Sequence, residues 1–222
     1  MRLAVIVPAL NEESAIAGAI ESAAGADEVI VVDGGSRDAT VAVARAAGAR
    51  VIRSPRGRGL QLSRGVAGSA GDVLLFLHAD TRLPRGFRDE IERLVAAGAA
   101  WGRFDVRFDR GGWLLRLIAR LISLRSRLTR VATGDQAIFV VREVFDRVGG
   151  FREAILFEDI DLCRRLKRAG RMGVPREPVT TSSRRWRQGG TLRTTLLMWT
   201  LKSLYLLGVP AEQLARYYRE RR

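Results

Sequence analysis

Acidic side chains stand at three places along this chain where carboxylates commonly do chemistry. Asp33 and Asp80 each follow a short apolar run of the kind that forms a buried strand, and Glu158 and Asp159 together open an amphipathic helical pattern. Acidic residues at the carboxyl ends of buried parallel strands converge on the crevice where open α/β sheets bind ligands. The three places together therefore predict a site that handles a metal ion and a phosphorylated ligand.

The segment LFLHADT places His78 two residues before Asp80. Alternate residues of an extended segment point to the same side, so the imidazole and the carboxylate could both approach a hard divalent cation, directly or through water. His78 is the only histidine, which excludes a zinc site with several histidines. A purely structural turn is the alternative interpretation of this segment.

The segment FEDIDLCRRL begins a helical pattern with three acids, Glu158, Asp159 and Asp161. Acids in the first turn of a helix complement the helix dipole without any functional purpose. The functional interpretation is a general base placed near an acceptor hydroxyl. Both interpretations stay open at the level of the sequence.

The segment VVDGGSRDAT has the features of a nucleotide-binding turn. Asp33 could accept hydrogen bonds from a base or a ribose hydroxyl, and Gly34 and Gly35 allow a ligand to approach the backbone closely. Ser36 is predicted to open a helix, whose N-terminus would favour an anion. The alternative is an ordinary glycine-rich turn.

The exit of the first strand is a further candidate contact. In VIVPALNEES, Pro8 is predicted to end the strand, so that Ala9, Leu10, Asn11 and Glu12 could face a ligand at the carboxyl edge of the sheet. The alternative is an ordinary strand-to-helix turn in which Asn11 caps the helix.

A basic, glycine-punctuated loop follows the third strand. SPRGRGLQLSRG carries Arg56, Arg58 and Arg64 into a helix, and such a loop could hold a pyrophosphate. A solvated basic loop is the alternative in a chain so rich in arginine.

Strand and helix patterns alternate through the first half of the chain, which predicts a mostly parallel sheet covered on both faces. Residues 101–109 then alternate strictly, with Phe104, Val106 and Phe108 on one side and charged residues such as Arg103 on the other. This pattern is typical of a half-exposed strand with antiparallel or edge pairing, so the sheet is predicted to be mixed. Predicted strands span 3–10, 28–35, 49–55, 72–80, 101–109 and 136–141, and predicted helices span 37–49, about 59–69, 111–130, 157–170, 191–208 and 210–222.

Composition restricts the class of protein. Of 222 residues 47% are hydrophobic and 28% charged, which is typical of a globular protein. The net charge of +14 implies attraction to polyanions, whether nucleotides, nucleic acid or an anionic membrane surface. The single Cys163 excludes an intrachain disulfide and a cysteine-rich metal site. Since Met1 leads straight into a strand-like run and no window is apolar enough to span a membrane, we expect a cytoplasmic protein.

Taken in order, the segments VIVPALNEE, DGGSRD, GRGLQLSRG, HADT, GDQAIFVVR and FEDIDLCRRL resemble a family 2 glycosyltransferase with the GT-A fold. The resemblance runs from about residue 3 to residue 170. It implies an α/β fold with a Rossmann-like mixed sheet flanked by helices, followed by C-terminal helices. One domain over 1–222 is expected, with a nucleotide-sugar-binding half at 1–100, an acceptor half at 101–190 and helices at 191–222. The short length and the ending TLRTTLLMWTLKSLYLLG are similar to a subgroup called radical-SAM/selenodomain-associated transferase 2-like.

The resemblance implies a set of residues that bind a nucleotide-sugar donor, most simply a UDP-sugar. Arg58 matches the basic residue of a GKG-like loop, and Asp80 would hold Mg²⁺ or Mn²⁺ bridging the diphosphate. His78 departs from the family pattern, since it stands where the first Asp of a DXD motif is usual, and it is the second candidate metal ligand. The positions implied to surround the nucleoside are Pro8, Ala9, Asn11, Glu12, Asp33 and Gly34.

The resemblance also implies the catalytic and acceptor residues of an inverting transfer. Asp159 would be the base, with Glu158 beside it, and Gly134 and Asp135 would border the sugar and the acceptor. Arg185 and Trp186 loosely match the QxxRW region of processive members and would contact the acceptor. Because the Gln of that region is absent from its usual place, processive synthesis is not expected.

Two predicted helices, 112–130 and 191–207, combine apolar faces with arginines and tryptophans. In the first, Trp113, Leu117 and Ile118 are predicted to share one stripe while Arg116 and Arg120 lie on another side. Such helices suit the interface of an anionic bilayer, which would fit a peripheral protein and a lipid-linked or hydrophobic acceptor. Packing against the sheet or a second subunit is the alternative.

Two other functional classes remain as alternatives. A basic nucleic-acid-binding protein would fit the charge, but the chain has no helix-turn-helix signature, zinc-finger spacing or RRM-like aromatic motif, so no specific nucleic acid is expected as a partner. A nucleotidyltransferase-like enzyme would be expected to carry a glycine-rich basic signature after the first strand, where this chain has Pro-Ala-Leu-Asn.

Overall fold

The computed structural model describes residues 1–152, 157–206, 208–209 and 213–214. Strands and helices alternate through the first part of the chain, as the sequence predicts. These elements are β1 (Leu3–Ala9), α1 (Ile16–Ser22), β2 (Glu28–Asp33), α2 (Thr40–Ala46), β3 (Arg50–Arg53), α3 (Arg58–Ala67) and β4 (Val73–Phe76).

The second part of the chain contains shorter strands and longer helices. The strands are β5 (Thr81–Arg82), β6 (Trp101–Arg103), β7 (Val106–Phe108), β8 (Ile138–Val141), β9 (Met172–Gly173) and β10 (Val179–Thr181). The helices are α4 (Phe87–Ala96), α5 (Trp113–Thr129), a 3-10 turn at Gly134–Gln136, α6 (Arg142–Arg147), α7 (Glu158–Ala169), α8 (Arg184–Gly189) and α9 (Thr191–Leu206). Of the helix predicted at 210–222, all but residues 213–214 lies outside the described residues.

The main sheet has seven strands in the order β3-β2-β1-β4-β8-β6-β9. The first four are mutually parallel, whereas β8 is antiparallel to both β4 and β6. The predicted mixed sheet is therefore confirmed. Alternate residues of β1 are buried on opposite faces, Val5 and Val7 in one apolar cluster and Ala4 and Ile6 in the other. This double burial explains why the first strands are continuous apolar runs.

Residues 101–109 do not form the single half-exposed strand that their alternation predicts. The chain leaves the main sheet after β6, and β7 joins a second sheet of order β5-β10-β7. Arg103, predicted to face outward, is fully buried. Its guanidinium donates to the carbonyls of Phe104 and Ser123 and contacts the carboxylate of Asp105, which offsets most of the cost of burying the charge. Its Nε has no hydrogen-bond partner among the described residues.

The small sheet brings the C-terminal part of the chain to the end of β4. Thr81 of β5 and Thr181 of β10 are hydrogen-bonded through their hydroxyls at 2.9 Å. The amide of Ser182 donates to the carbonyl of Asp80 at 3.1 Å. Helix α8 therefore starts beside the HADT segment.

Candidate active site

The first strand continues through Pro8 to Ala9, so the prediction that Pro8 ends the strand is wrong. Pro8 pairs with Val32 of β2, while the pairing of β1 with β4 stops at Ile6 and Phe76. Because Ile6 faces β4 and residues alternate along a strand, the nitrogen of Pro8 also points to the β4 side, beyond the end of that pairing. The missing N–H of proline therefore costs no sheet hydrogen bond.

Asn11 joins the first loop to the turn that follows β2. Its amide donates to the hydroxyl of Ser36 at 2.9 Å, and its side-chain oxygen accepts from the amide of Arg37 at 2.9 Å. Asn11 has a left-handed φ of 54°, a conformation that Asn adopts more readily than most residues. Neither predicted helix cap is present, since α1 begins at Ile16 and α2 at Thr40.

Asp33 is buried and its carboxylate organises its own turn, accepting from the amides of Gly35 at 3.2 Å and Ser36 at 3.1 Å. Gln61 of α3, which the sequence analysis did not single out, stabilises the ends of β1 and β2 next to this turn. Its amide nitrogen donates to the carbonyls of Ala9 and Val32 at 3.0 and 2.8 Å. No pattern in the sequence distinguishes Gln61 from an ordinary polar helix residue.

An open cavity of about 340 Å³ lies between the first loop and this turn. Its volume is at the lower end of the range usual for small-molecule sites. The lining combines glycine backbone with basic side chains, and consists of Leu10, Asn11, Gly34, Gly35, Arg37 and Arg56. The structure therefore places Asn11 and Gly34 at one cavity together with Arg37, and their binding of a nucleoside stays a prediction.

His78 and Asp80 lie in a turn, not in an extended segment, because the amide of Thr81 donates to the carbonyl of His78 at 3.1 Å. The geometric argument that both side chains share one face is therefore wrong. Asp80 is half-buried, and burial raises the pKa of its carboxyl, as do the nearby charges of Glu12 and, to a smaller extent, Asp135. Arg184 and Arg58 oppose that rise.

The ring of His78 faces the turn at Gly134. A methyl group on Gly134 would overlap Nε2 of His78, so a larger residue there would require the His78 ring to move. His78 also lines a small cavity of about 20 Å³, room for about one water molecule, at the meeting of β4, α3 and α7. Its lining brings together Pro8, Arg58, Leu62, His78, Gly134, Glu158 and Asp159, with apolar side chains behind them.

Arg184 at the start of α8 contributes a cation that the sequence analysis missed. Its guanidinium donates to the carboxylate of Glu12 at 2.9 Å, and this contact, with the nearby charge of Asp80, raises the pKa of Arg184. The predicted Arg185 has a side chain outside the described part, and Trp186 packs edge-on against Phe108. Nothing in the run RRWR indicates which arginine points at the site.

Glu158 is buried at the start of α7 and pairs with Arg58 at 3.2 Å. Burial raises the pKa of Glu158 to about 7, with Arg58 opposing the rise and the adjacent Asp159 adding to it. Asp161, by contrast, pairs with Arg165 one turn along the helix at 2.6 Å, which is a structural role. The acids of this segment therefore divide between the site and the helix surface.

Asp159 is tied to the 3-10 turn that carries Asp135. Its two oxygens accept from the amides of Gly134 at 2.6 Å and Ile160 at 2.7 Å. Within the described residues, Oδ1 of Asp135 is buried without a hydrogen-bond partner, and so is Nη2 of Arg125 from α5. Burial lowers the pKa of Arg125, while Asp135 and Asp159 raise it, so this cation lies near both acids.

The arrangement suits a divalent cation only when a ligand completes its coordination. In the ranges that the structure describes, no three His, Cys, Asp or Glu side chains form a group that could hold a metal ion. Asp80, however, lies among acidic neighbours that raise its pKa, and Asp135 has a buried oxygen without a described partner. Mg²⁺ is commonly bound by one or two carboxylates together with substrate phosphates, which is the donor set available here.

The family of the chain follows from comparison with known proteins. Residues 4–152 match the model of glycosyl transferase family 2. The match covers more than half of the 222 residues, and the chain belongs to this family. The membership confirms the family resemblance carried by the motifs; the subgroup resemblance stays a prediction.

Curated relatives match shorter parts of the chain. Glucosyl-3-phosphoglycerate synthase of Mycobacterium tuberculosis is 37% identical in an alignment of 92 residues that covers 35% of this chain and 28% of that protein. An uncharacterized glycosyltransferase of Rickettsia typhi is 39% identical over 98 residues, or 43% of this chain and 34% of that protein. The matches thus span about a third of the length of these relatives.

Solved structures agree over most of the chain. The M. tuberculosis synthase in complex with Mn²⁺, UDP-glucose and phosphoglyceric acid is 27% identical with a TM-score of 0.63, covering 94% of this chain and 80% of that one. S. aureus TarS in complex with UDP-GlcNAc has a TM-score of 0.63 at 18% identity, covering 82% and 58%, and shares the fold alone. The predicted GT-A fold is confirmed.

Proposed function

We propose that this protein transfers a sugar from a nucleoside-diphosphate sugar, with UDP as the nucleotide, to a hydroxyl acceptor with inversion at the anomeric carbon. The proposal rests on the grouping of Arg58, Glu158 and Asp159 at one small cavity, with Asp80 near enough to Arg58 for its charge to lower the pKa of Asp80. The open cavity at Asn11 is close in the chain, since Leu10 and Arg56 of its lining stand two residues from Pro8 and Arg58 of the small cavity. The cavity has room for a nucleoside, and the neighbouring groups suit a diphosphate, its metal and a proton acceptor.

The donor lies with its nucleoside between the first loop and the turn after β2. The carboxylate of Asp33 accepts a hydrogen bond from the base or from a ribose hydroxyl, using lone pairs that the amides of Gly35 and Ser36 leave free. Gly34 has no side chain, so the nucleoside can approach the backbone closely. UDP-glucose in the complex of the similar synthase supports uracil as the base. Arg58 binds the diphosphate, since a guanidinium matches phosphate geometry.

Asp80 would hold Mg²⁺ or Mn²⁺ together with the diphosphate, and Asp135 is the second carboxylate available to the ion. Such an ion would supply positive charge to the nucleoside diphosphate as it leaves. His78 as a further ligand stays a prediction, because its ring faces Gly134 in this structure. Mg²⁺ and Mn²⁺ in complexes of the similar synthase support a divalent ion.

Asp159 takes the proton from the acceptor hydroxyl as its oxygen forms the bond to the anomeric carbon. The bond from that carbon to the diphosphate breaks in the same displacement, and its electron pair leaves with the nucleotide. Glu158 is the alternative base, since burial brings its pKa to about 7, near the optimum for proton transfer at neutral pH. The amide hydrogen bond from Gly134 aims Asp159 at the turn where the acceptor binds.

The acceptor binds on the side of Gly134 and Asp135, where Arg125 supplies a nearby cation. A phosphorylated or carboxylated compound would suit that cation, and phosphoglyceric acid in the complex of the similar synthase is one such compound. Contacts of Arg185 and Trp186 with the acceptor stay predictions, as do a hydrophobic acceptor, a cytoplasmic location and a homo-oligomer.

The decisive experiment measures donor binding and turnover without knowledge of the acceptor. Calorimetry should detect UDP binding that needs Mn²⁺, and prolonged incubation with UDP-glucose or UDP-GlcNAc should release UDP by slow transfer to water. A nucleotidyltransferase would instead exchange pyrophosphate with UTP, and a nucleic-acid-binding protein would retain RNA at high salt without binding UDP. Either result, in place of metal-dependent UDP binding, would contradict the proposal.

A further inference from the structure

Helix α5 exposes a row of large apolar side chains to solvent. Trp113 is 70% exposed, Leu124 52% and Leu128 76%, and Leu117 and Leu121 are also exposed. A helix of a folded domain normally buries its apolar face, so a continuous exposed row indicates an interaction surface. We propose that this face of α5 docks the protein on an anionic lipid bilayer.

At 100° per residue the residues of α5 separate into three stripes. One stripe packs into the protein through Leu115, Ile118 and Ala119. The second is the exposed apolar row, and beside it runs a third stripe of exposed arginines, Arg116, Arg120 and Arg127. Arg127 also pairs with Asp105, so the stripe offers lipid anions chiefly Arg116 and Arg120. The sequence analysis placed Ile118 with Trp113 in one stripe; the structure shows that Ile118 is buried, so the helix is apolar on two separate faces.

The charges on α5 favour an anionic bilayer over a second copy of the chain. The segment from Trp113 to Thr129 contains no acidic residue, and the whole chain carries a net charge of +14. Two copies meeting through this face would bring their arginine stripes to one interface with no carboxylate from either helix. Anionic headgroups supply the missing charge, and a tryptophan beside leucines and arginines is the composition of an interfacial helix.

The helix that carries the docking surface also contacts the candidate active site. On its inner side, α5 accepts a hydrogen bond at the hydroxyl of Ser126 from the side chain of Gln136, at 2.9 Å, in the same turn as Asp135. Arg125 of the same helix reaches toward Asp135 and Asp159. A bilayer bound to the outer face would therefore hold the acceptor side of the site near the membrane surface, where an amphiphilic acceptor would lie. That consequence rests on the proposed function, but docking itself does not.

In described residues no helix is long and apolar enough to cross a membrane. The proposed contact is accordingly one of a helix lying along the surface. Its apolar row would enter the headgroup boundary while the arginines contact lipid phosphates. Both contributions are required, so the two stripes can be tested separately.

Co-sedimentation with vesicles tests the proposal. Wild-type protein should bind phosphatidylglycerol–phosphatidylcholine vesicles at low salt and leave pure phosphatidylcholine vesicles unbound. The variant W113S/L124S/L128S and the variant R116E/R120E should each lower the partition coefficient by about tenfold or more. All five positions are exposed, so circular dichroism and melting temperature should remain those of the wild type.

A charge-matched variant, R147E/R168E, provides the control. It changes two exposed arginines on α6 and α7, alters the net charge as much as R116E/R120E does, and should bind vesicles like the wild type. Equal loss in this control would show adsorption by net charge alone and overturn the proposal, as would unchanged binding of both α5 variants. A wild-type dimer in sedimentation equilibrium that W113S/L124S/L128S dissociates, without vesicle binding, would assign the face to a second copy.

UDP binding separates this inference from the proposed function. Loss of vesicle binding in the α5 variants with intact Mn²⁺-dependent UDP affinity would support docking and leave the donor site untouched. If the wild type binds vesicles but never UDP, the transferase proposal fails while the docking proposal stands.

Discussion

Asp80 is a partly buried carboxyl whose surroundings disfavour its negative charge. Burial and the carboxylate of Glu12 raise its pKa, and Arg184 and Arg58 only oppose that rise. A divalent cation would counter this effect, so Asp80→Asn should abolish the Mn²⁺-dependent part of UDP binding without loss of fold. Isothermal titration calorimetry with Mn²⁺ and with EDTA measures this, and Asp89→Asn on the exposed side of α4 is the matched control. UDP affinity that stays at the wild-type value, both in the variant and after EDTA treatment, would refute the role of Asp80.

Asp159 is expected to act as the base through a carboxylate that the backbone holds in place. Asp159→Asn should keep UDP binding and lower transfer by about 10²-fold or more, the usual scale for loss of a general base. Steady-state transfer rates and calorimetry on the same preparation check both halves of the expectation. Since Asn can oppose the amide of Gly134 or Ile160, the melting temperature is measured as well. Transfer at nearly the wild-type rate would move the role to Glu158 or Asp135.

Glu158 should make the stability of the metal-free protein depend on pH. Its folded-state pKa of about 7 lies above the ordinary value of 4.5, so the folded state binds the proton more tightly. The corresponding stabilisation is fully present below about pH 4.5 and is lost as the pH rises through 7. The shift corresponds to a free energy on the order of 3 kcal/mol, with the opposing effect of Arg58 already included. Denaturant unfolding in EDTA at pH 5 and pH 8 should show a smaller difference in Glu158→Gln than in the wild type. The same difference in both proteins would exclude Glu158 as the cause.

At the scale of elements, α3 positions Arg58 and Gln61 because it lies very close to β1 and β2. A methyl group on Gly65 would overlap Cγ2 of the fully buried Ile6 and approach Cγ2 of Val32 to 3.0 Å. Gly65→Ala gains about 1 kcal/mol of helix propensity but overpacks a rigid core at about 1–3 kcal/mol, so a net loss of up to about 2 kcal/mol is expected.

Gly18→Ala in α1 is the matched control for Gly65→Ala. There the nearest atoms belong to the exposed guanidinium of Arg82, which can move away, so stability should be unchanged or higher. Urea unfolding of both variants measures the difference. A stabilised Gly65→Ala protein would show that α3 does not rest on β1 as tightly as the packing indicates.

Elements were predictable where a local pattern determined burial. The continuous apolar runs of β1 and β4 are buried on both faces, and α7 begins and ends within a residue of its predicted bounds. The alternation at 101–109 led to the wrong prediction of one half-exposed strand. The same alternating pattern is compatible with two short strands in different sheets, which is what the structure has. The chain leaves the main sheet at Phe104 because β6 pairs with β8 in that sheet, whereas β7 pairs with β10 in the small sheet.

At the scale of the whole molecule, the excess of arginine has more than one use. Some arginines are structural, as Arg103 is in the core, and some face the candidate site, as Arg58 and Arg184 do. The remaining exposed arginines include the stripe on α5 that we assign to an anionic bilayer. Net charge alone indicates attraction to polyanions, but the position of each arginine determines which polyanion it can meet.

The sequence by itself determined the family, the mixed α/β architecture and the places where acids follow strands, because apolar periodicity and short motifs are local properties of the chain. Tertiary structure alone decided which side chains converge. The ion pair of Arg184 with Glu12 joins residues 172 positions apart, and His78 and Asp80 lie in a turn where the sequence predicts an extended segment. The second apolar face of α5 likewise became visible only when the first was seen packed in the core. Direction and burial of a side chain depend on the elements packed around it, and short-range sequence does not contain that information.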